Sequence, residues 1–573
     1  MGKSDGGESR AAKRRRKNRE KKVNSEGKGG GASARASSGV EFVGDTRGND
    51  TVNEETEVIG QGEGKGEEAY EPYQYRIRRD LGLGALLDLE EVRQIKSRCR
   101  AASLLSLLIP VDEDRDNFYE KYWEKQPALK TVDSSASSDF DGLLSRSDYV
   151  HIVNTQTFMP GEDMNGWKGH DALAAIEEGA RAAVESGTPL AAPAALNYAA
   201  AGWTVELTYP VVHDDALWRF MSALEHEFDS VVQCRVYDVP QFAQGLGRRV
   251  DNFDSFLMCS DGCAQVTVHK HPEGDELPRE PWDGRDPLEA YGGDDDKPFL
   301  GVTLKKGECM YVPKGWIYSI AGTKEAALVL HMCTNMFNAT ADIMELLLPQ
   351  ALEATIQSCT AARKSLPSGY QYCMGVSGSD MPSHPLRRCL MSNMKKHFAL
   401  VTEQAASLVD AATDQHIKNF MTQRLPVPVS SKEEEFTVEG KGETAKINVT
   451  SKLRMLRPGI ARAIVEEGNV VLYHCMDNSR RTYGEPIRPL EFELDDGPAI
   501  ERLLATYPTA VAVGDIPHPS EELEDKCDIA RALFKEGFLL LDAPEGGDGS
   551  DGINDDDDDD DDEDDNCEDG DPF

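Results

Sequence analysis

No stretch of this chain is apolar for the eighteen or more residues that a membrane helix requires, and the N-terminus lacks the apolar segment of a secretory signal. Position 6, where myristoylation after Met1-Gly2 would want Ser or Thr, is Gly6. These absences point to a soluble intracellular protein. The 12 cysteines show no paired spacing: Cys259 and Cys263 lie closest together, and no second pair follows to complete a zinc site. They read as reduced, mostly buried thiols. A positive balance is missing too. The 573 residues hold 62 Lys and Arg against 102 Asp and Glu, a formal charge of −40. Free DNA or RNA is therefore not the expected main ligand, because phosphate neutralisation supplies much of that affinity.

The charge that is present is unevenly spread. Residues 1–78 are poor in apolar side chains and read as a disordered tail. Within them Lys13, Arg14, Arg15, Arg16 and Lys17 open a dense basic cluster, the pattern of a nuclear or nucleolar localisation signal or of an arm that touches nucleic acid. The other end, 544–573, is acidic, with eight consecutive aspartates at 555–562 and no Lys or Arg. Such a block self-repels and attracts basic partners, for which histones and ribosomal proteins are the expected nuclear class.

Between the tails, Cys234 to Asn335 reads as β. Val236, Phe253, Phe256, Leu257, Met258, Val266 and Val268 form short apolar runs broken by turns such as Asp261-Gly262. A turn at Lys306-Gly307-Glu308 precedes a strand Cys309–Val312, a Pro313-Lys314-Gly315-Trp316 corner and a last strand Ala326–Cys333. Short strands at this spacing predict a small barrel or double-sheet jelly roll.

These residues resemble the JmjC cupin of the ribosomal oxygenases, histidyl hydroxylases also described as histone lysine demethylases. In that family a His-x-Asp turn and a later strand, Gly-Asp-x-x-Tyr-x-Pro-Arg-Gly-x-x-His, supply the facial triad of an Fe(II) site that uses 2-oxoglutarate. Arg248-Arg249-Val250-Asp251 falls on the first motif, and Gly307 to Tyr318 on the second. Arg249 thus stands at the first histidine position and Tyr318 at the second, and only Asp251 matches. The family's cosubstrate lysine aligns with Ala264, and an asparagine of the preceding strand aligns with Arg235. A guanidinium offers only donors and cannot ligate a metal. Fe(II) and 2-oxoglutarate, the family's cofactors, are therefore not expected to be held here in the family's way. Arg249 is expected to pair with Asp251 in the cation's place, and Arg235 with Arg249 to offer bidentate contacts to an anion.

Four histidines bear on an alternative metal site. His213-Asp214-Asp215 is formally His-x-Asp, but Asp214 suits an N-terminal cap of the helix to Phe228. His269 and His271 read as surface residues at the start of a polar loop, and His331 as a satisfied core histidine or one facing the pocket.

Elsewhere, a helix is expected from Asp80 to Cys99, and another from Phe118 to Pro127 similar to the one preceding the family's barrel. Phe140 to Leu144 matches the next family element. Residues 160–195, rich in Ala, Gly and Glu, read as a helical insertion or mobile excursion, and Trp203–Val212 as a strand. Helical periodicity from Ala341 to Arg424 coincides with the family's dimerisation segment and implies a homodimer. After a polar break at Ser430–Glu435, strands at Leu453–Gly459, Val470–His474 and Phe538–Leu541 alternate with helices at Pro498–Tyr507 and Cys527–Gly537. This unit resembles the family's winged helix, without a conspicuous basic face.

The sequence thus implies an α+β chain: a tail at 1–78, a JmjC cupin with leading helices at 79–338, a helical dimerisation segment at 339–428, a winged helix at 429–543 and a tail at 544–573. The reading taken forward is a nuclear or nucleolar ribosomal-oxygenase-like protein, catalytically impaired, that binds ribosomal proteins or histones. Two others remain. One is a working oxygenase whose metal is held by Asp251, Tyr318 and a further histidine; the other is a nucleic-acid binder using the basic arm and the winged helix.

Overall fold

The computed structural model describes residues 108–110, 115–132, 143–271, 276–281, 286–290, 297–442, 444–481, 488–507, 509–520 and 522–543. The expected helix at 80–99, the basic cluster, Phe140 to Gly142 and the acidic tail lie outside them.

Two sheets form the first half. The larger is antiparallel and eight-stranded, in the order β1 (Ala128–Lys130), β10 (Cys309–Val312), β7 (Asp254–Asp261), β12 (Ala327–Thr334), β5 (Gln233–Val239), β4 (Thr204–Leu207), β2 (Met164–Lys168), β3 (Asp171–Ala172). The smaller runs β6 (Leu246–Val250), β11 (Ile317–Gly322), β8 (Cys263–His269), β9 (Leu300–Lys305). Side chains alternate across a strand, so each central strand of the larger sheet feeds two cores. Phe256 and Met258 of β7 and Tyr311 of β10 face outward, against Phe118, Tyr149 and Phe220 of the flanking helices. Leu257, Cys259, Met310 and Val312 face inward, against Val266, Val268, Tyr318 and Ile320 of the smaller sheet. Both faces of β12 are covered, which is why all eight of its residues are buried and nearly all are apolar. The same alternation puts Arg235 with Tyr237, and His331 with Val329, on the inner face. That places polar groups in an otherwise apolar barrel.

Helix Asp215–Phe228 begins as its sequence indicates: Leu217 donates its backbone N–H to Asp214 Oδ1 at 2.7 Å. Other expectations need correction. The strand expected to reach Val212 ends at Leu207 and gives way to a 3₁₀ turn, Pro210–Val212, where proline removes a ladder donor. The helix expected to run to Pro127 is Arg115–Lys121, and the chain then turns through Glu124 at φ 54°. The supposed excursion at 160–195 contributes β2 and β3 to the larger sheet before helix Glu178–Ser186.

Helices Thr340–Ser358, Pro385–Ser407 and Val409–Gln423 follow, packed on a small core of Leu347, Ala351, Ala405 and Ala412. The last unit holds two three-stranded sheets, β17 (Val511–Ala512), β13 (Lys452–Met455), β18 (Leu539–Leu541) and β14 (Ala461–Glu466), β15 (Asn469–His474), β16 (Leu490–Glu493). They share a core with helices Gly497–Leu504 and Leu523–Lys535. The expected polar break is a helical turn, Ser431–Glu434, whose Glu433 pairs with Arg457 at 2.6 Å and Arg454 at 3.5 Å.

A buried contact joins this unit to the barrel's helices. Glu225, fully buried, accepts backbone N–H groups from Leu425 at 2.9 Å and Val232 at 3.3 Å and lies 3.7 Å from Nε of the equally buried Arg424. Nearby, Asn478 Nδ2 donates to the carbonyls of Met421 and Arg424. Burial pushes the Glu225 carboxyl up to about 8, so its removal strands two backbone N–H groups more than a charge. Glu225→Ala is therefore expected to cost ~1–3 kcal/mol per stranded donor in denaturant unfolding, and Glu225→Gln less, because its amide oxygen still accepts one of the two. Equal, small losses for both variants would contradict this account of the junction.

Candidate functional site

The register between β6 and β11 builds the site. Tyr318 pairs with Arg249, but Ile320 pairs with Leu246, so one extra residue of β6 bulges between them. Without the bulge, Leu246 and Arg249 would point to opposite faces; with it, both face inward. Bulges next to functional clefts re-aim side chains in this way. Gly245 permits the close approach at the strand's start: it sits at φ +74°, and a Cβ there would lie 1.9 Å from the Ile320 carbonyl oxygen.

Asp251 follows directly after β6. Its carboxylate does not pair with Arg249, against the expectation; no ion pair joins them. The Tyr318 hydroxyl donates to Asp251 Oδ2 at 2.7 Å, and Ser255 Oγ lies 3.4 Å from the same oxygen. A phenol reaches across the strand pair to that carboxylate, whereas the Arg249 guanidinium is drawn to the face of Trp167, 4.9 Å from the ring centroid.

His331 comes to the same carboxylate from β12, with Nε2 3.8 Å from Asp251 Oδ2. Both its nitrogens are engaged, Nδ1 with Tyr237 Oη at 3.2 Å and Nε2 with Ser255 Oγ at 2.9 Å. A neutral ring satisfies this pattern by accepting from Tyr237 and donating to Ser255, which leaves the Ser255 hydroxyl to donate to Asp251. Burial, reinforced by the Arg235 and Arg249 charges, holds the imidazole well below its ordinary pKa, so the ring is neutral. His331 is thus a satisfied core histidine, fully buried, that reaches the cavity only through its neighbour Asp251.

His269 corrects another expectation. It is buried, at the end of β8, and pairs with Ile317, one residue out of phase with Tyr318; its side chain therefore leaves the opposite face of the sheet. His271 packs edge-on to Trp316 at 5.9 Å, and His213 against Phe158. Ala264 lies in the barrel core, fully buried.

A cavity of about 730 Å³ opens over this floor, lined by Trp167, Glu206, Arg235, Arg249 and Asp251, with Arg481 of the last unit at its rim. Trp167 and Glu206 went unseen in the sequence. Trp167 lies in the Ala- and Gly-rich segment read as an excursion, and Met164-Asn165-Gly166-Trp167-Lys168 has no period of two to mark it as a strand. Its indole N–H donates to Glu206 Oε2 at 2.7 Å, and Arg235 Nη1 stands 3.7 Å from Glu206 Oε1.

These residues do not fit an iron centre of three ligands. Arg249 has no lone pair to give. Burial and the Asp251 charge push the Tyr318 hydroxyl well above its ordinary pKa, so it stays a phenol and a donor. Burial raises the Asp251 carboxyl, with the Tyr318 hydrogen bond and the two guanidiniums drawing it back. Two permanent cations in the same cleft further oppose a dication. Among the described residues no group of three or more His, Cys, Asp or Glu is arranged to hold a metal ion, and no helix is long and apolar enough to cross a membrane.

Comparison with known proteins adds the family context. A model described as "JmjC domain" matches residues 206–342, and one described as "Ribosomal oxygenase 1, C-terminal winged helix domain" matches 425–544. Ribosomal oxygenase 1 of Rattus norvegicus is 29% identical over 464 residues, covering 78% of this chain and 74% of the rat protein. The protein of Branchiostoma floridae named Bifunctional lysine-specific demethylase and histidyl-hydroxylase NO66 is 26% identical over 453 residues, 77% of this chain and 68% of its own length. Among solved structures, "Structure of YcfD a Ribosomal oxygenase from Escherichia coli in complex with Cobalt and 2-oxoglutarate" aligns with 75% of this chain and 99% of that one, at 13% identity and a TM-score of 0.38.

A buried, protonated Tyr318 has a spectroscopic consequence. The phenolate absorbance that rises around the ordinary tyrosine pKa of about 10 is expected to be the same in the natural chain and in Tyr318→Phe. Loss of one phenol titrating in that range in the variant would mean that Tyr318 ionises readily enough to serve as a ligand.

Proposed function

We propose that this chain, which belongs to the JmjC ribosomal-oxygenase family by its JmjC and winged-helix domains, is a catalytically impaired member that binds basic proteins. The observation that carries this reading is the inner-face pairing of Arg249 with Tyr318 beside Asp251. The two positions that carry histidine in the family's motif hold a fixed cation and a proton donor, and the one carboxylate is already engaged. The oxidation chemistry that Fe(II) and 2-oxoglutarate supply to the family needs the metal.

What remains is a scaffold for binding. The acidic tail at 544–573, outside the described residues, supplies a strong negative charge suited to ribosomal proteins or histones. Lys13, Arg14, Arg15, Arg16 and Lys17 support nuclear, and within it nucleolar, placement. The helical segment supports a homodimer: Leu348, Leu352 and Phe398 stay 45%, 50% and 64% exposed, as expected of an apolar face that a second copy covers. The winged helix is read as a packing or protein-interaction module. Arg457 pairs with Glu433, Arg462 with Asp414 and Arg531 with Glu524 and Asp528, which disfavours a phosphate-binding role for these side chains.

A working oxygenase is the second reading, favoured by one observation, the approach of His331 to Asp251. One preparation tests both. Supplied with Fe(II), 2-oxoglutarate and a basic ribosomal-protein or histone peptide, the full chain is expected to release succinate no faster than a protein-free control. It is expected to retain the peptide in a manner that weakens at least about tenfold as salt shortens the screening length from ~10 Å to ~3 Å, and likewise on removal of 545–573. Succinate release above background that is abolished by His331→Ala would establish the second reading. Retention indifferent to salt and tail would refute the proposed mode of binding.

A further inference from the structure

Two of the arginines around the cavity have partners that satisfy them and two do not. Arg248 meets Asp286 at 2.9 Å, and Arg481 meets Asp163 at 2.9 Å. The two on the floor differ. Arg249 forms no ion pair or hydrogen bond with any described residue; its one strong contact is the face of Trp167, and its Nε is buried without a hydrogen-bond partner. Arg235 lies over Phe253 at 5.6 Å and reaches one carboxylate, Glu206, only at 3.7 Å; its Nε too is buried without a partner. The nearby acceptors are engaged elsewhere, Glu206 Oε2 by the Trp167 indole and Asp251 Oδ2 by the Tyr318 hydroxyl.

Guanidinium stays protonated at any pH the protein meets, so both charges are permanent. A buried donor without an acceptor is costly, and a charged one more so. The aromatic contacts at Arg249 and Arg235 hold the two heads in place yet take none of their in-plane N–H donors. Those donors form the planar forks that match a carboxylate or a phosphate bidentately.

We propose that the cleft is a metal-independent receptor for a small oxyanion, a carboxylate or phosphate group clamped between Arg249 and Arg235 with Trp167 as its wall. This rests on the metal-free reading of the same site, and it gives that site a ligand class. The ligand class follows from the donors, since two guanidinium forks lining one cavity of about 730 Å³ suit a single small oxyanion. No bond is made or broken in this role; occupancy gives the two guanidiniums a shared acceptor and ties β5 to β6.

Calorimetry on the full chain in excess EDTA, with inorganic phosphate and succinate titrated separately, tests the proposal. At least one of the two is expected to bind saturably, one per chain, and to raise the thermal midpoint; which one does assigns the ligand's source. Arg249→Ala is expected to weaken that binding at least about tenfold, and Arg249→Lys to recover only part, because an ammonium keeps the charge but not the fork. Arg235→Gln, a milder change inside the barrel, is expected to weaken it as well, with circular dichroism confirming that each variant is folded. Absence of binding with or without metal, or binding unchanged in folded Arg249→Ala and Arg235→Gln, would overturn the proposal and leave the metal-free reading standing. Binding that appears only when Fe(II) replaces EDTA would instead overturn the metal-free reading and this proposal with it.

Discussion

A guanidinium cannot lose its charge, and in this barrel one is turned inward, beside a phenol that cannot easily lose its proton. The β6–β11 bulge sets that arrangement by placing Arg249 and Tyr318 on the same inner face. The contents of the cleft then follow from how each group finds a partner. Tyr318 donates to Asp251. Arg249, left without a carboxylate, lies over Trp167. Trp167 in turn engages Glu206, the carboxylate Arg235 would otherwise hold closely. The neutral His331 completes a hydrogen-bonded chain from Tyr237 through Ser255 to Asp251. Every carboxylate and every neutral polar side chain in this cluster is engaged, while the two guanidiniums keep most of their donors open.

The frame around the cleft explains how a site so altered is accommodated. The larger sheet is covered on both faces, by helices outside and by the smaller sheet inside. Two apolar cores therefore hold the barrel together around the cleft. The last unit is anchored through the buried Glu225–Arg424 contact and sends Arg481 to the cavity rim, where it meets Asp163. The barrel and the winged helix thus meet at one cleft, although most of the polar groups lining it come from the barrel and its sheet.

Much of this was legible in the residues. The strand Cys309–Val312 appears with its expected bounds, and the buried last strand and the Asp214-capped helix appear within a residue of theirs. These elements announce themselves through local signals: apolar runs, a turn glycine, a capping carboxylate. The alignment of Arg249, Asp251 and Tyr318 was readable too, because the motifs carry their own spacing. Partnership was harder to read. Whether Arg249 points in or out depends on one bulged residue, and periodicity counted along the sequence cannot register it. The polar residues after His269 suggest a surface position, yet the ladder buries it. Trp167 and Glu206 belong to strands well upstream of the barrel motifs, Trp167 in a stretch whose alanines and glycines read as helical or loose and Glu206 in an expected strand that carries no motif; only the assembled sheet brings them to Arg249 and Arg235.

Whether the cleft can take iron at all decides the account, and anaerobic calorimetry with Fe(II), with and without 2-oxoglutarate, measures it directly. The natural chain is predicted to give no binding isotherm. An Arg249→His/Tyr318→His double variant, in which histidines flank Asp251 in an unchanged barrel, is predicted to gain one. Tight Fe(II) binding by the natural chain would contradict the account and make His331 the first candidate for the missing ligand.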